Sequence, residues 1–186
     1  IIDPDQAIPT FNLFVSNLIT NNSANISWTE AGTATQWEIE YGISGFVPGA
    51  GVIVAAPTNP LVLTGLTANT TYDFYIRAIC STTDLSPWAG PSKFNTQCID
   101  VTEFTEDFEG YATGTANPLP DCWVELNSGA GNSYITTGAT APMSATNRLY
   151  MTASGTIPTE TYAVLPAVSN LQANSHRLKF KAFATS

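Results

Sequence analysis

Apolar and polar residues alternate strictly in three short runs of the N-terminal half of the chain. Ala24, Ile26 and Trp28 are separated by Asn25 and Ser27; Trp37, Ile39 and Tyr41 by Glu38 and Glu40; Tyr72, Phe74, Ile76 and Ala78 by Asp73, Tyr75 and Arg77. A period of two belongs to a strand with one buried face, because successive side chains leave a pleated backbone on opposite sides. Three half-buried strands are therefore predicted, with the charged residues and Tyr75 on the outward parity. Between them lie Glu30-Ala31-Gly32-Thr33, the Gly- and Pro-rich stretch 45–51 and Pro57-Thr58-Asn59-Pro60. Gly supplies positive φ there, and Pro fixes φ while removing a ladder donor. Strands at this spacing predict an all-β protein built as an antiparallel sandwich.

Composition narrows the class. Only 11% of the 186 residues are charged, against roughly 25% in a typical globular chain, and 44% are apolar. The length accommodates one large domain or two modules of ordinary size, and two are expected. A net charge of −9, from 15 acidic and 6 basic residues, would repel a phosphate backbone, so nucleic acid is excluded as a partner. No run approaches the ~20 apolar residues of a transmembrane helix. The start, Ile1-Ile2-Asp3-Pro4-Asp5, has neither Met nor a basic leader, so the chain is expected to begin inside something longer.

The segment Leu66-Thr67-Ala68-Asn69-Thr70-Thr71-Tyr72 leads into the longest alternating run. It resembles the tyrosine corner of Greek-key sandwiches, in which a Tyr hydroxyl turns back onto upstream backbone. With it, residues 9–97 resemble the fibronectin type III family. Trp28 takes the place of the strand-B tryptophan and Tyr41 of the strand-C aromatic; Leu66 and Tyr72 form the corner pair, and Phe94 the inward residue of the last strand. The resemblance implies an immunoglobulin-like sandwich that spaces or binds and does not catalyse, preceded by a linker at 1–8. Trp37-Glu38-Ile39-Glu40-Tyr41-Gly42, Tyr75-Ile76-Arg77-Ala78-Ile79-Cys80 and Ser86-Pro87-Trp88 are similar to versions in secreted multidomain proteins of the Bacteroidetes. That likeness implies an extracellular, secreted or outer-membrane surface location.

After Cys98 the texture changes. Phe104 to Gly110, Pro120-Asp121-Cys122-Trp123, Asn147-Arg148-Leu149-Tyr150-Met151, Thr161 to Pro166 and Arg177 to Phe183 resemble the opening half of a jelly-roll β-sandwich of the MAM or choice-of-anchor kind. Residues 98–186 are then the N-terminal portion of a longer domain, and the chain is expected to continue past Ser186. The last alternation, Leu178, Phe180 and Ala182 against Lys179, Lys181 and Phe183, predicts a strand with an unpaired edge.

Candidate chemistry is sparse. With one histidine, His176, no His-dependent zinc motif is available, and neither a G-x-S-x-G elbow nor a phosphate-binding loop occurs. No catalytic residue is assigned and no cofactor is expected, apart from one candidate structural calcium. Glu103, Glu106, Asp107 and Glu109 are the nearest approach to a metal constellation, and their alternating parity keeps them from converging on a flat strand. They read either as solvated, edge-protecting charge or, given a bend in the backbone, as a calcium site with Asp107 and Glu109 as ligands. Tyr75 and Arg77 are outward on strand F and Trp88 follows a Ser-Pro turn, so a cation–π contact between Arg77 and Trp88 is expected. The three residues are packing on the sandwich face or a binding platform. Of the three cysteines, Cys80 and Cys98 fall at opposite ends of the antiparallel F–G hairpin, separated by about 20 Å of strand at ~3.3 Å per residue, beyond bridging reach. Cys98 and Cys122 are the expected disulfide.

These features point to a non-catalytic pair of adhesion or binding modules that meet a protein or glycan surface. The rivals are accessory modules of a secreted hydrolase and a structural stalk or filament repeat.

Overall fold

Each of the three alternating runs forms a strand, and each is longer than its strict alternation. The computed structural model describes residues 11–30, 32–81, 84–115, 119–129, 131–137, 146–153, 160–170, 172 and 177–180, without the side chains of residues 11 and 13–17. The predicted linker 1–8 and His176 lie outside the described residues. The chain divides into two compact units, Ile1–Cys98 and Ile99–Ser186. Among the described residues every regular element is a strand.

The first unit comprises β1 (Phe11–Ile19), β2 (Ser23–Glu30), β3 (Trp37–Ile43), β4 (Val52–Ala56), β5 (Leu61–Thr64), β6 (Thr71–Ser81), β7 (Asp84–Leu85) and β8 (Ala89–Asn95). One antiparallel sheet has the order β1-β2-β5. The other runs β4-β3-β6, with β7 and β8 both on β6. The β1, β4 and β5 strands carry no clean alternation and were not marked by the pattern. Short β7 pairs with the end of β6, Ile79 opposite Leu85 and Ser81 opposite Asp84.

Between the sheets lie Ala24, Ile26 and Trp28 from β2, Leu63 from β5, and Ile39, Phe74 and Ile76 from β3 and β6. Burying side chains of this size contributes about 1.5–3 kcal/mol each. Trp28 meets Trp37 edge-on at 5.3 Å, and Tyr72 stacks on Phe94 at 5.4 Å while Tyr41 tilts against it at 6.3 Å. Trp28, Leu66, Tyr72 and Phe94 are buried and Tyr41 is partly buried. Where the β2–β5 ladder stops, Asn59 takes over, donating to the Trp28 carbonyl and accepting from the Trp28 N–H.

The corner is held by hydroxyls. The Thr67 N–H donates to the Tyr72 hydroxyl at 3.0 Å, and Asn69 adopts φ 47°, a left-handed conformation that Asn tolerates better than most residues. Buried Thr96 was missed in the sequence. Its Oγ1 donates to the Thr67 carbonyl at 2.7 Å and accepts the Thr70 N–H at 3.0 Å, tying the corner to the end of β8.

Among the described residues the second unit has four strands in two antiparallel ribbons. The β9 (Val124–Asn127) strand pairs with β12 (Thr161–Val164), and β10 (Asn132–Thr137) with β11 (Asn147–Thr152). Val101 and Val168 form an isolated parallel bridge. Trp123 is wedged edge-on against Phe108 at 5.8 Å and Phe104 at 6.5 Å, and Ile135 is fully buried. Residues 104–110 are not the flat strand that alternation suggested, because bends and turns replace the ladder there. At 177–180 no ladder forms, and 181–183 lie outside the described residues.

Replacing Tyr72 by Phe keeps the stacked ring but removes the acceptor of the part-buried Thr67 N–H. The expected loss is about 0.5–1.5 kcal/mol of unfolding free energy in urea denaturation with an unchanged slope; a wild-type midpoint would show that the hydroxyl does not clamp the corner.

Candidate binding face

The register of β3 on β6 sets Glu38 opposite Arg77, Glu40 opposite Tyr75 and Gly42 opposite Asp73, all on the face turned away from the core. At one end the Arg77 Nη2 lies 2.7 Å from Glu38 Oε2 and its Nε donates to the same oxygen at 2.8 Å. The guanidinium carbon sits 4.3 Å from the centre of the Trp88 ring. Held by the carboxylate on one side and the indole on the other, Arg77 forms a flat plate with Trp88. Tyr75, half-buried, meets Phe46 edge-on at 5.3 Å. The structure thus places the three predicted residues, Tyr75, Arg77 and Trp88, on one face.

Glu40 departs from the pattern. Its parity is outward, yet it is 0% exposed, because the connection from β3 to β4 folds back over the sheet. The carboxylate Oε1 accepts the Gly49 and Gly51 N–H groups at 2.7 Å each, and Oε2 is buried with no hydrogen-bond partner among the described residues. Two glycines make the fold-back sterically feasible. A Cβ on Gly42 would come within 3.0 Å of Phe46, and one on Gly51 within 2.8 Å of the Tyr41 carbonyl and 2.6 Å of Phe46. The donors lie 9 and 11 residues beyond Glu40, in a turn-rich stretch with no periodicity, so no sequence signal identified them.

Asp73 clamps the other end of the same connection. Its carboxylate accepts the Gly45 N–H at 2.7 Å and the Ser44 hydroxyl at 3.1 Å, and Lys93 Nζ lies 2.9 Å away. Burial alone would raise the Asp73 pKa, but Gly45, Lys93 and Ser44 outweigh it and hold the carboxyl below the ordinary 3.8. Two buried carboxylates therefore fix residues 44–51 against the sheet. Around this clamped loop Ile43, Val47, Val52 and Ile53 are each more than half exposed. Among the described residues no strand pairs with the outer edge of β4, which carries neither charge nor Pro. Ile53 shares the outward parity of Glu40, whereas Ile43 and Val52 share the core-side parity of Tyr72 and Tyr41.

The acidic residues of the second unit act as backbone acceptors. Glu106 accepts the Phe108 N–H at 2.6 Å and the Tyr111 hydroxyl at 3.1 Å; burial, then this bond, raises the Tyr111 phenol above its usual range. Asp107 accepts the Glu109 N–H at 3.1 Å. Glu109 takes the Thr146 hydroxyl, the Thr146 N–H and the Asn147 N–H, in that order the causes that lower its pKa. Those bonds impose the bend at Phe108, whose φ is 64°. Among the described residues no group of three or more His, Cys, Asp or Glu side chains is arranged to hold a metal ion. Cys98 and Cys122 are disulfide-bonded, and Cys80 is an exposed free thiol.

A depressed pKa means that the ionised Asp73 stabilises the fold above pH 3.8 and that this contribution disappears as pH falls through its lower folded value. In thermal melts, Asp73→Asn should therefore be less stable than wild type near neutrality, with the gap closing only in strong acid; a gap independent of pH would count against the charged clamp.

Residues 7–95 match the family described as the fibronectin type III domain. Similar solved structures include a computer-redesigned β-sandwich protein, 26% identical over 50% of this chain and 96% of its own, TM-score 0.40. The fibronectin type III domain of human collagen alpha-1(XX) chain is 26% identical over 50% of this chain and 86% of its own, TM-score 0.41. One from human contactin 1 is 16% identical over 52% and 82%, TM-score 0.45. No curated protein sequence matches the chain. Among the described residues no helix is long and apolar enough to cross a membrane. The first unit therefore contains a fibronectin type III domain, at residues 7–95.

Proposed function

We propose that the chain is a non-catalytic binding segment of an exported protein, and that it engages a protein partner through the outward face of the β4-β3-β6-β8 sheet. Fibronectin type III domains are commonly binding or spacer modules of extracellular proteins. The observation that carries the reading is the clamped β3–β4 connection. Val47 on the loop and Ile53 on the edge strand, opposite Glu40, stay exposed beside a connection held by Glu40 and Asp73. A preformed apolar surface loses little entropy on binding, and an uncharged free edge offers backbone donors and acceptors to an extended segment. The Arg77–Trp88 plate and Tyr75 extend the face toward β8, with Arg and aromatics as the residue types that anchor protein interfaces. Residues 98–186 are read as the opening part of a jelly-roll sandwich that accompanies this module, with Cys98 bonded to Cys122.

The test is bead binding against a panel of purified extracellular proteins, with a glycan array run in parallel. Saturable binding to a protein, abolished in Val47→Asp/Ile53→Lys while unfolding free energy stays within about 0.5 kcal/mol, is expected for exposed positions. Binding that survives the double variant, or binding to glycans alone, would defeat the proposal. For the disulfide, a non-reducing peptide map should join the Cys98 and Cys122 peptides, and Cys80 should react with a maleimide without denaturant; a Cys80–Cys98 peptide would contradict both.

A further inference from the structure

We infer that the outward face of the β10–β11 ribbon binds a sugar carboxylate, a uronate unit of an acidic polysaccharide, and that Arg148 is the group that takes its charge. The register sets Tyr134 opposite Tyr150 and Thr136 opposite Arg148, so these four side chains share one parity. The other parity carries Ile135, which is fully buried, together with buried Ser133 and Asn147, and is the side turned inward. A sandwich extended from this unit adds to its core on that inward side and leaves the tyrosine side in solvent. The tyrosine rings meet at 5.4 Å with a tilt of 59°, and the Arg148 guanidinium carbon lies 6.0 Å from the centre of the Tyr150 ring.

Arg148 lacks the partner that a half-buried guanidinium ordinarily has. Its Nε is buried without a hydrogen bond, and the ion pairs among the described residues are Arg77–Glu38 and Lys93–Asp73. Every Asp and Glu of the second unit occupies a described position, and none of them pairs with Arg148. Glu109, which reaches the two residues before it, is spent on Thr146 and Asn147. A guanidinium offers five N–H donors in a fixed fork and accepts nothing, so leaving one unpaired out of water costs stability until an acceptor arrives. A carboxylate fits that fork with two parallel N–H···O bonds. Among the described residues the Tyr134 and Tyr150 hydroxyls also meet no protein partner. An Asp or Glu side chain of a peptide supplies a carboxylate alone. A uronate carries carboxylate, hydroxyls and a face of C–H groups on one rigid ring, and this surface presents a counterpart to each: the fork, the phenol hydroxyls and the aromatic rings. The inference uses no residue of the first unit and does not depend on the protein-binding reading.

Titration calorimetry of the 186-residue chain with galacturonate and glucuronate trimers, their neutral methyl esters and tri-glutamate tests this. Wild type should bind at least one uronate trimer saturably, more weakly as salt is raised, and should bind neither its ester nor tri-glutamate comparably. Arg148→Met should weaken that binding by about tenfold or more, Arg148→Lys by less, since it keeps the charge and loses the fork. Lys179→Met, which removes another exposed cation of the same unit, should bind as wild type does. The inference is overturned if wild type binds neither trimer, if the ester or tri-glutamate binds as tightly, if Arg148→Met binds as wild type does, or if Lys179→Met loses as much. Circular dichroism checks each fold, and Arg148→Lys carries the comparison with Lys179→Met should Arg148→Met unfold.

Discussion

The pairing of β3 with β6 is the constraint from which the first unit follows. From Trp37 opposite Ala78 to Ile43 opposite Tyr72, the register commits Ile39 and Ile76 to the core and Glu38, Glu40, Asp73 and Arg77 to the outer face. A slip of one residue would exchange the two sets, turning four charged side chains into the space between the sheets and the aromatic core outward. The same register that places Phe74 under the sandwich therefore also places two carboxylates where a loop can fold onto them. Core and outer face are two sides of one decision about alignment.

Legibility in the sequence tracks periodicity. Strands β2, β3 and β6 announce themselves because one face meets the core and the other meets solvent or loop. Edge strand β4 does not, since Val52, Ile53 and Val54 are apolar on both parities, and a uniformly apolar run carries no phase information. The tyrosine corner was readable because its residues are adjacent in the chain. Thr96 was not, because its partners Thr67 and Thr70 are 29 and 26 residues upstream. On the outer face, the Arg77–Trp88 contact was foreseeable from parity and proximity, whereas the burial of Glu40 was not. Parity states which side of a sheet a residue occupies. It does not state what will later cover that side.

The acidic residues show the same gap between pattern and role. In a chain with so few charges, a run such as Glu103 to Glu109 stands out and invites a metal reading. Folded, Glu106, Asp107 and Glu109 instead satisfy N–H groups in turns that have no ladder to do so. A carboxylate accepts several donors at once and suits tight backbone bends, so the phase expected of a strand is lost where such residues are dense.

Glu40 joins these themes. A buried carboxylate with one unpartnered oxygen costs stability, and an apolar side chain in its place would avoid that cost. An apolar residue, however, could not accept the Gly49 and Gly51 N–H groups, which would then be buried without partners or turn back to water and release the loop. With the loop released, Phe46 would leave its seat over Gly42 and beside Tyr75, and Val47 would no longer be held at a fixed place beside β4. The carboxylate is better understood as the clamp of the β3–β4 connection than as part of a core: stability is given up at one oxygen, and two loop N–H groups gain an acceptor.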